Sequence, residues 1–537
     1  MENLKIIFQK KLEFIHYNLI SMRQILIFIL FFVGKNLWSN SIPELEQCLI
    51  KRNGADKIEV FYELKDQDNQ QLEVRCKLFW ATGDQIHQEI TDISFSGDIG
   101  FPVSTGIDKK ITIQTSNPNG FQGEIRLVLS AFDRENLDVA EILNQINLKR
   151  YESDLQVLQG KRNAVTDPTF LQKSRNYLTE QLNMHLPVTE LKSVVPQYTC
   201  INYESNQWGT EKPGKIQIVD AHYDSFGQSP GVDDNGSGTA GVLEILRVLS
   251  KYAAKKTVRY LLFDLEEQGL VGSNIYVNNQ MNKKDSVEAV FNFEMIAYYT
   301  EKENTQDLPT GFNFLFPDAY NKVIANKRKG DFITNVGNTN SKKLIETFEN
   351  SCKNFVPGLK YISLEVPGTG SMVPDLRRSD HATFWDKNIP ALMLTDGANF
   401  RNKNYHTPKD SLNYLDLTFA TNTLKATVAS IIEVAGIEHG TSKSFTLGAQ
   451  TNNEDIGFNQ TRLNIFQKKL WIECPAICEN LKLTLTNQHG QICVEKILKE
   501  DGSNQKIIDL THLTGGLYFA TLSKGNRTKT VKCLLNH

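Results

Sequence analysis

"AHYDSFGQSPGVDDNGSG", residues 221–238, sets a histidine, three acidic residues and four glycines between two apolar runs. The run before it, "IQIVDA" (216–221), has the continuous apolar character of a strand buried on both faces. The run after it, "GTAGVLEILRVLSKYA" (238–253), has the spacing of an amphipathic helix. A polar loop between a buried strand and a helix marks the carboxyl end of a strand in an α/β sheet. Ligands of such sheets gather outside those ends. Gly231, Gly236 and Gly238 surround Asp234 and allow the backbone to bend tightly there.

The same grammar recurs downstream. Strands are predicted for "VRYLLFD" (258–264), "EAVFNFEM" (288–295) and "PALMLTD" (390–396), and a closing helix for 415–436. Residues 136–440 therefore read as one α/β domain, a mostly parallel mixed sheet with helices on both faces. Acidic and histidine residues follow the strand ends in order: His222, Asp224, Asp233 and Asp234, then Glu266 and Glu267, then Glu294, then His406 in "YHTPKD". Any one of these alone is better read as a satisfied core histidine or a solvated acidic turn. Together, at successive strand ends, they form the imidazole and carboxylate set of a hydrolytic zinc site without thiolates.

The motifs "AHYDS", "GVDDNGSG", "FDLEEQGLVGS", "NFEMI" and "NYHTPKD", in this order, resemble those of the M28 family of zinc aminopeptidases. The resemblance implies two zinc ions bridged by Asp234. It assigns His222 and Glu294 to one metal, Glu267 and His406 to the other, and the role of general base to Glu266. Asp224 would orient the His222 imidazole, and Tyr405 would help hold the oxyanion. Position 294 is Glu where the best-known members have Asp. His381, in "SDH", resembles a residue near the substrate cleft of this family. The insert 297–340 shows few strand or helix signals and is expected to roof the cleft.

Two β-rich segments flank this block. Residues 42–135 alternate apolar and polar positions in short runs, as a β-sandwich does, and resemble an immunoglobulin-like module. Residues 441–537 are read as a linker and a second β-sandwich, whose "IDLTHLTGGLYFATL" and "NRTKTVK" resemble the sorting domain of the type IX secretion pathway. The resemblance implies a secretion machinery as partner. The segment 1–41, with Arg23 ahead of "ILIFILFFV" (25–33), has signal-peptide form. Export through the periplasm to the surface or medium follows. Eight cysteines suit an oxidising compartment as disulfides or buried thiols. A net charge of -3 without a long basic run excludes a nucleic-acid partner.

Three functions fit these residues: an aminopeptidase acting on peptide N-termini, a glutaminyl cyclase-like acyltransferase, and an inactive receptor-like binding protein. Tyr405 ahead of the last histidine and the continuation Asn235-Gly236-Ser237-Gly238 favour the peptidase. Metal-capable side chains at all five ligand positions argue against the inactive protein.

Overall fold

Four parallel strands lie side by side at the centre of an eight-stranded sheet: Lys256–Phe263, Lys212–His222, Ser286–Phe293 and Ala391–Thr395. This is a computed structural model that describes residues 41–83, 85–448, 462–466, 468–473, 481–498, 505–524 and 527–535. The expected signal segment falls outside the described residues except for Ser41. Beyond the parallel core, Tyr198–Gln207 and Val188–Val195 continue one side with antiparallel pairing. Ile333–Asn338 and Tyr361–Val366 continue the other.

Alternate residues of the central strands enter different cores, as a pleat requires. Val219, Ala221, Phe291, Phe293, Leu392 and Leu394 belong to one apolar cluster, with the helices Gly238–Leu249 and Leu417–Ala435. Ile216, Ile218, Val290, Ala391 and Met393 belong to a second, with Tyr276, Phe384 and Trp385. Both faces are therefore covered, which explains why these strands are apolar throughout. Each buried Val, Ile, Leu, Phe or Met among them contributes roughly 1.5–3 kcal/mol by leaving water. Local signals fix where the long closing helix begins and ends: Asp416 accepts from the Phe419 amide at 2.9 Å, and Gly436 ends it at φ 67°.

The insert differs from expectation. It contains the helices Phe312–Leu315 and Pro317–Ala325 and the sheet strand Ile333–Asn338. That strand, "ITNVGN", hides its signal because it buries polar residues. The Asn335 side-chain amide donates to the Ile345 carbonyl and Ser363 Oγ, both at 3.2 Å, so burial is satisfied by hydrogen bonds rather than by apolar character.

The N-terminal segment forms two sheets around one core. One contains Glu44–Arg52, Lys57–Lys65, Gly106–Thr115 and Ile93–Gly97. The other contains Glu124–Phe132, Gln71–Thr82, Gln85–Glu89, Gly100–Ser104 and, from far along the chain, Gly440–Leu447. This last strand corrects the reading of residues 441–447 as part of a linker. It pairs antiparallel with Glu124–Phe132 from Gly440↔Phe132 to Leu447↔Ile125 and adds Phe445 and Leu447 to the sandwich core. The strand it covers would otherwise present an open edge. The tail builds a three-stranded and a four-stranded antiparallel sheet with their own apolar cluster. Cys48, Cys76, Cys200, Cys352, Cys493 and Cys533 are free thiols; Cys474 and Cys478 lie outside the described residues.

These contacts predict two different outcomes for two truncations. A chain ending at residue 448 should keep the melting temperature of the sandwich and sheet. A chain ending at residue 439 should melt several degrees lower, because it strips a strand and two core side chains from the sandwich. Identical melting curves for the two would contradict the role given to Gly440–Leu447.

Candidate metal centre

The loop that leaves the strand Lys212–His222 is built on a buried arginine. Arg162 donates from Nε to the Tyr223 carbonyl at 2.6 Å, from one terminal nitrogen to the Gly231 carbonyl at 2.6 Å, and from the other to the Leu158 and Pro230 carbonyls. Gly231 sits at φ 59° beside this guanidinium. A Cβ there would come within 2.5 Å of the Asp234 carbonyl and 2.6 Å of Ser225 Cβ, so only glycine fits. The chain then turns through Val232–Ser237 into the helix Gly238–Leu249. The Asp234-Asn235 peptide within that turn is cis. Asn235 fixes the exit: its Nδ2 donates to the Phe293 carbonyl at 2.7 Å and its Oδ1 accepts from the Met295 amide at 3.2 Å. Those two contacts flank Glu294, so the Asp234 turn and the Glu294 strand end are held together.

Asp234 stands between two histidines. Its Oδ1 is 3.6 Å from His222 Nε2, and its Oδ2 is 3.0 Å from His406 Nε2. Glu294 Oε2 lies 3.3 Å and Glu266 Oε2 3.8 Å from the same His222 nitrogen. Glu267 Oε2 lies 3.2 Å from His406 Nε2. Two clusters of metal-capable atoms result: His222, Glu266 and Glu294 in one, and Asp234, Glu267 and His406 in the other. All five expected ligands are therefore brought together, and Glu266 joins the first cluster with them. The donor set fits divalent cations for a further reason. His222 Nε2, His406 Nε2, Asp234 Oδ2 and Glu267 Oε1 are buried and have no hydrogen-bond partner, a costly state that metal coordination relieves.

Charge crowding leaves its mark on Glu266, Glu267, Asp234 and His406. Burial, followed by the neighbouring carboxylates, pushes the Glu266 carboxyl well up. Burial and the Asp234 charge push Glu267 to about 8. Burial also opposes ionisation of Asp234, but His406 close beside it and the charges of His222 and Arg162 outweigh it and hold this carboxylate low. Burial opposes a charged His406, yet the Asp234 and Glu267 carboxylates raise it to about 9.

Neighbouring side chains hold the ligands in place. Asp224 Oδ1 is 3.3 Å from His222 Nδ1, and the same carboxylate accepts from the Glu266 and Glu267 amides at 3.1 and 3.2 Å. It thus aims the imidazole and anchors the adjacent loop at once. Ser379 Oγ donates to Glu294 Oε2 at 2.8 Å. The His406 ring lies between Phe226, with centroids 3.9 Å apart, and Tyr405, 3.7 Å apart. Tyr405 accepts from Arg378 at 3.0 Å through its hydroxyl. Asp233 is buried away from both clusters and accepts from the Ala297 amide and the Asn402 side chain. His381 joins neither cluster; its Nε2 lies 2.9 Å from the Leu376 carbonyl and its ring packs edge-on against Trp385.

A pocket opens beside the centre, sharing Glu294 and Tyr405 with it. Leu308, Phe312, Val323 and Phe332 of the insert line it with Ile362 and Met393. The insert therefore does form the cleft wall, as expected. Sequence reasoning missed Phe226, Arg162, Ser379 and Asp410. Of these, Phe226, Ser379 and Asp410 lie inside stretches already singled out, but their type alone gave no reason to select them.

Residues 206–431 match the family described as peptidase family M28, and residues 464–536 match the secretion system C-terminal sorting domain. Over 217 residues the chain is 31% identical to the uncharacterized protein YfbL of Escherichia coli, a match covering 38% of this chain and 62% of that protein. Over 100 residues it is 42% identical to the aminopeptidase YwaD of Bacillus subtilis, covering 18% and 22% respectively. Among solved structures, the LapA aminopeptidase of Legionella pneumophila is similar with a TM-score of 0.42 at 21% identity, covering 55% of this chain and 74% of that one. The chain spans less than two thirds of the length of the curated relatives it matches first. The central sheet with the candidate metal centre thus lies in the stretch that matches peptidase family M28, and the stretch that matches the secretion system C-terminal sorting domain follows it.

Proposed function

We propose that the protein is an exported aminopeptidase with two zinc ions, hydrolysing the first peptide bond of peptides and proteins. The observation that carries this reading is Asp234, whose two oxygens each face one histidine-carboxylate cluster. His222 and Glu294 would hold one zinc and Glu267 and His406 the other, with Asp234 shared between them. Bound zinc supplies Lewis acidity for a water and for the scissile carbonyl.

The chain's own residues supply the rest. Glu266, in the same loop as Glu267, takes the proton of the attacking water and returns it to the leaving amine. Its upward shift suits a base that must also act as an acid. Asp224 fixes both the imidazole of His222 and the loop that carries Glu266. Tyr405, which burial keeps protonated, is free to donate its hydroxyl hydrogen to the developing oxyanion while it accepts from Arg378. The apolar pocket beside Glu294 and Tyr405 receives the side chain of the N-terminal residue, which favours large apolar residues there. The N-terminal sandwich would serve as an immunoglobulin-like spacer or binding accessory. The tail addresses the enzyme to the type IX machinery after passage through the periplasm.

Peptides with leucine or phenylalanine at a free N-terminus should be cleaved, and their acetylated forms should not. Cleavage of both forms alike would argue for an endopeptidase, and cyclisation of N-terminal glutamine without hydrolysis for the acyltransferase.

The paired glutamates separate mechanism from metal binding. Glu266→Gln should lower kcat about 10²–10⁴-fold with zinc content intact, because the lost group acts in proton transfer. Glu267→Gln should lose zinc. Turnover and elemental analysis on both variants decide the matter, and the reverse pattern would exchange the two roles.

His406→Ala should bind less zinc than the native chain, while the sheet and its melting temperature in the zinc-free form stay close to native. Unchanged zinc would remove His406 from the ligand set.

A further inference from the structure

One buried carboxylate at the centre is used by none of the steps above. Asp410 is 1% exposed, and no lysine, arginine or histidine lies within ion-pair distance of it among the described residues. Its two oxygens go to two consecutive amides: Oδ1 accepts from Asp233 N at 3.0 Å and Oδ2 from Asp234 N at 3.1 Å. Burying a carboxyl group is costly unless hydrogen bonds compensate it. Here both bonds are spent on the backbone of the one residue that faces both clusters and on the residue before it.

The arrangement repeats an independent one. Asp224, two residues after His222, accepts from the consecutive amides of Glu266 and Glu267. Asp410, four residues after His406, does the same for Asp233 and Asp234. Each loop that carries a histidine thus holds, by a bidentate carboxylate, a loop that carries an acidic pair. On the far side of Asp234, Asn235 ties the turn to the backbone around Glu294. Asp234 is held from both directions before any side-chain ligand bond is made.

We propose that Asp410 is a positioning residue: it presets the Asp234 carboxylate and locks it to the His406 loop, so that zinc meets an assembled site. This assignment rests on the two-zinc reading of the centre. A merely structural role would require only that some polar group satisfy the amides. The preset role requires that zinc affinity depend on both oxygens.

Asp410→Asn tests the difference in the full-length chain, since the side-chain amide keeps the shape but only one acceptor. Asp154→Asn serves as a control, because Asp154 is equally buried, accepts from Tyr177 and joins neither metal-capable cluster. Zinc-free protein is titrated with zinc against a competing chromophoric chelator, and its zinc-free melting temperature is recorded. Native protein should take up two zinc ions. Asp410→Asn should lose about 10–100-fold in affinity for at least one of them, whereas Asp154→Asn should lower the melting temperature and leave both affinities unchanged. Native affinities in Asp410→Asn, with or without a lowered melting temperature, would overturn the proposal. Native protein binding other than two zinc ions would instead overturn the function reading. A second measurement needs no variant: in the zinc-free native chain the amides of Asp233 and Asp234 should stay protected from hydrogen exchange. Rapid exchange there would show that zinc, and not Asp410, orders the turn.

Discussion

The centre is governed by one electrostatic constraint: a group of buried carboxylates larger than the positive charge available to them. Asp224, Asp233, Asp234, Glu266, Glu294, Asp380, Asp396 and Asp410 are all buried, and so are Arg162, Arg401 and His222. Two like charges 4 Å apart repel by about 4 kcal/mol even at an effective dielectric constant of 20. Without metal, the site relieves this by holding protons. Burial drives Asp380 to about 7 and Asp410 to about 8, in the same sense as Glu266 and Glu267. A divalent cation relieves the same repulsion without protons. The arrangement that makes the zinc-free site uncomfortable is the one that makes it a good cation site.

Such crowding is tolerable only on a rigid support, and the sheet supplies it. Four adjacent parallel strands end at one edge, which places His222, Glu294 and the Glu266–Glu267 loop within reach of each other without long connections. Buried apolar side chains on both faces fix the strands in register. The polar network then acts over short distances: Asp224 and Asp410 between loops, Asn235 between the Asp234 turn and the Glu294 strand end. Precision at the site comes from these backbone-directed bonds, which tolerate little displacement.

The candidate ligands were legible in the sequence because metal chemistry restricts residue type. Imidazole or carboxylate stands at His222, Asp234, Glu267, Glu294 and His406, and each follows a strand that announces itself by apolar character. Glu294 kept its oxygen within 3.3 Å of His222 despite the longer side chain, with Ser379 as a partner. What the sequence hid obeys other rules. Arg162 acts through its backbone acceptors, Phe226 through stacking, and Asp410 through two amides; none of these demands a recognisable spacing. The strand Ile333–Asn338 was missed because buried asparagines replace the apolar pattern. Gly440–Leu447 was misplaced because its partner, Glu124–Phe132, lies some three hundred residues earlier in the chain, and pairing of that range leaves no local signature.

The same contrast divides the work of the molecule. Groups that touch the metal centre belong to strand ends and to the loops that follow them. One side of the pocket wall belongs to the insert and to its strand, whose sequence is free of any coordination requirement. Phe312, Val323 and Phe332 line the pocket but take no part in either metal cluster. Changes there can reshape what the pocket accepts while leaving the charge balance at Asp234 untouched. Glu294 and Tyr405 are different, because they face both regions, and a substitution at either would alter selectivity and chemistry together. A fold that keeps its reactive groups on the sheet edge and its selectivity in an insert can vary the second without risking the first.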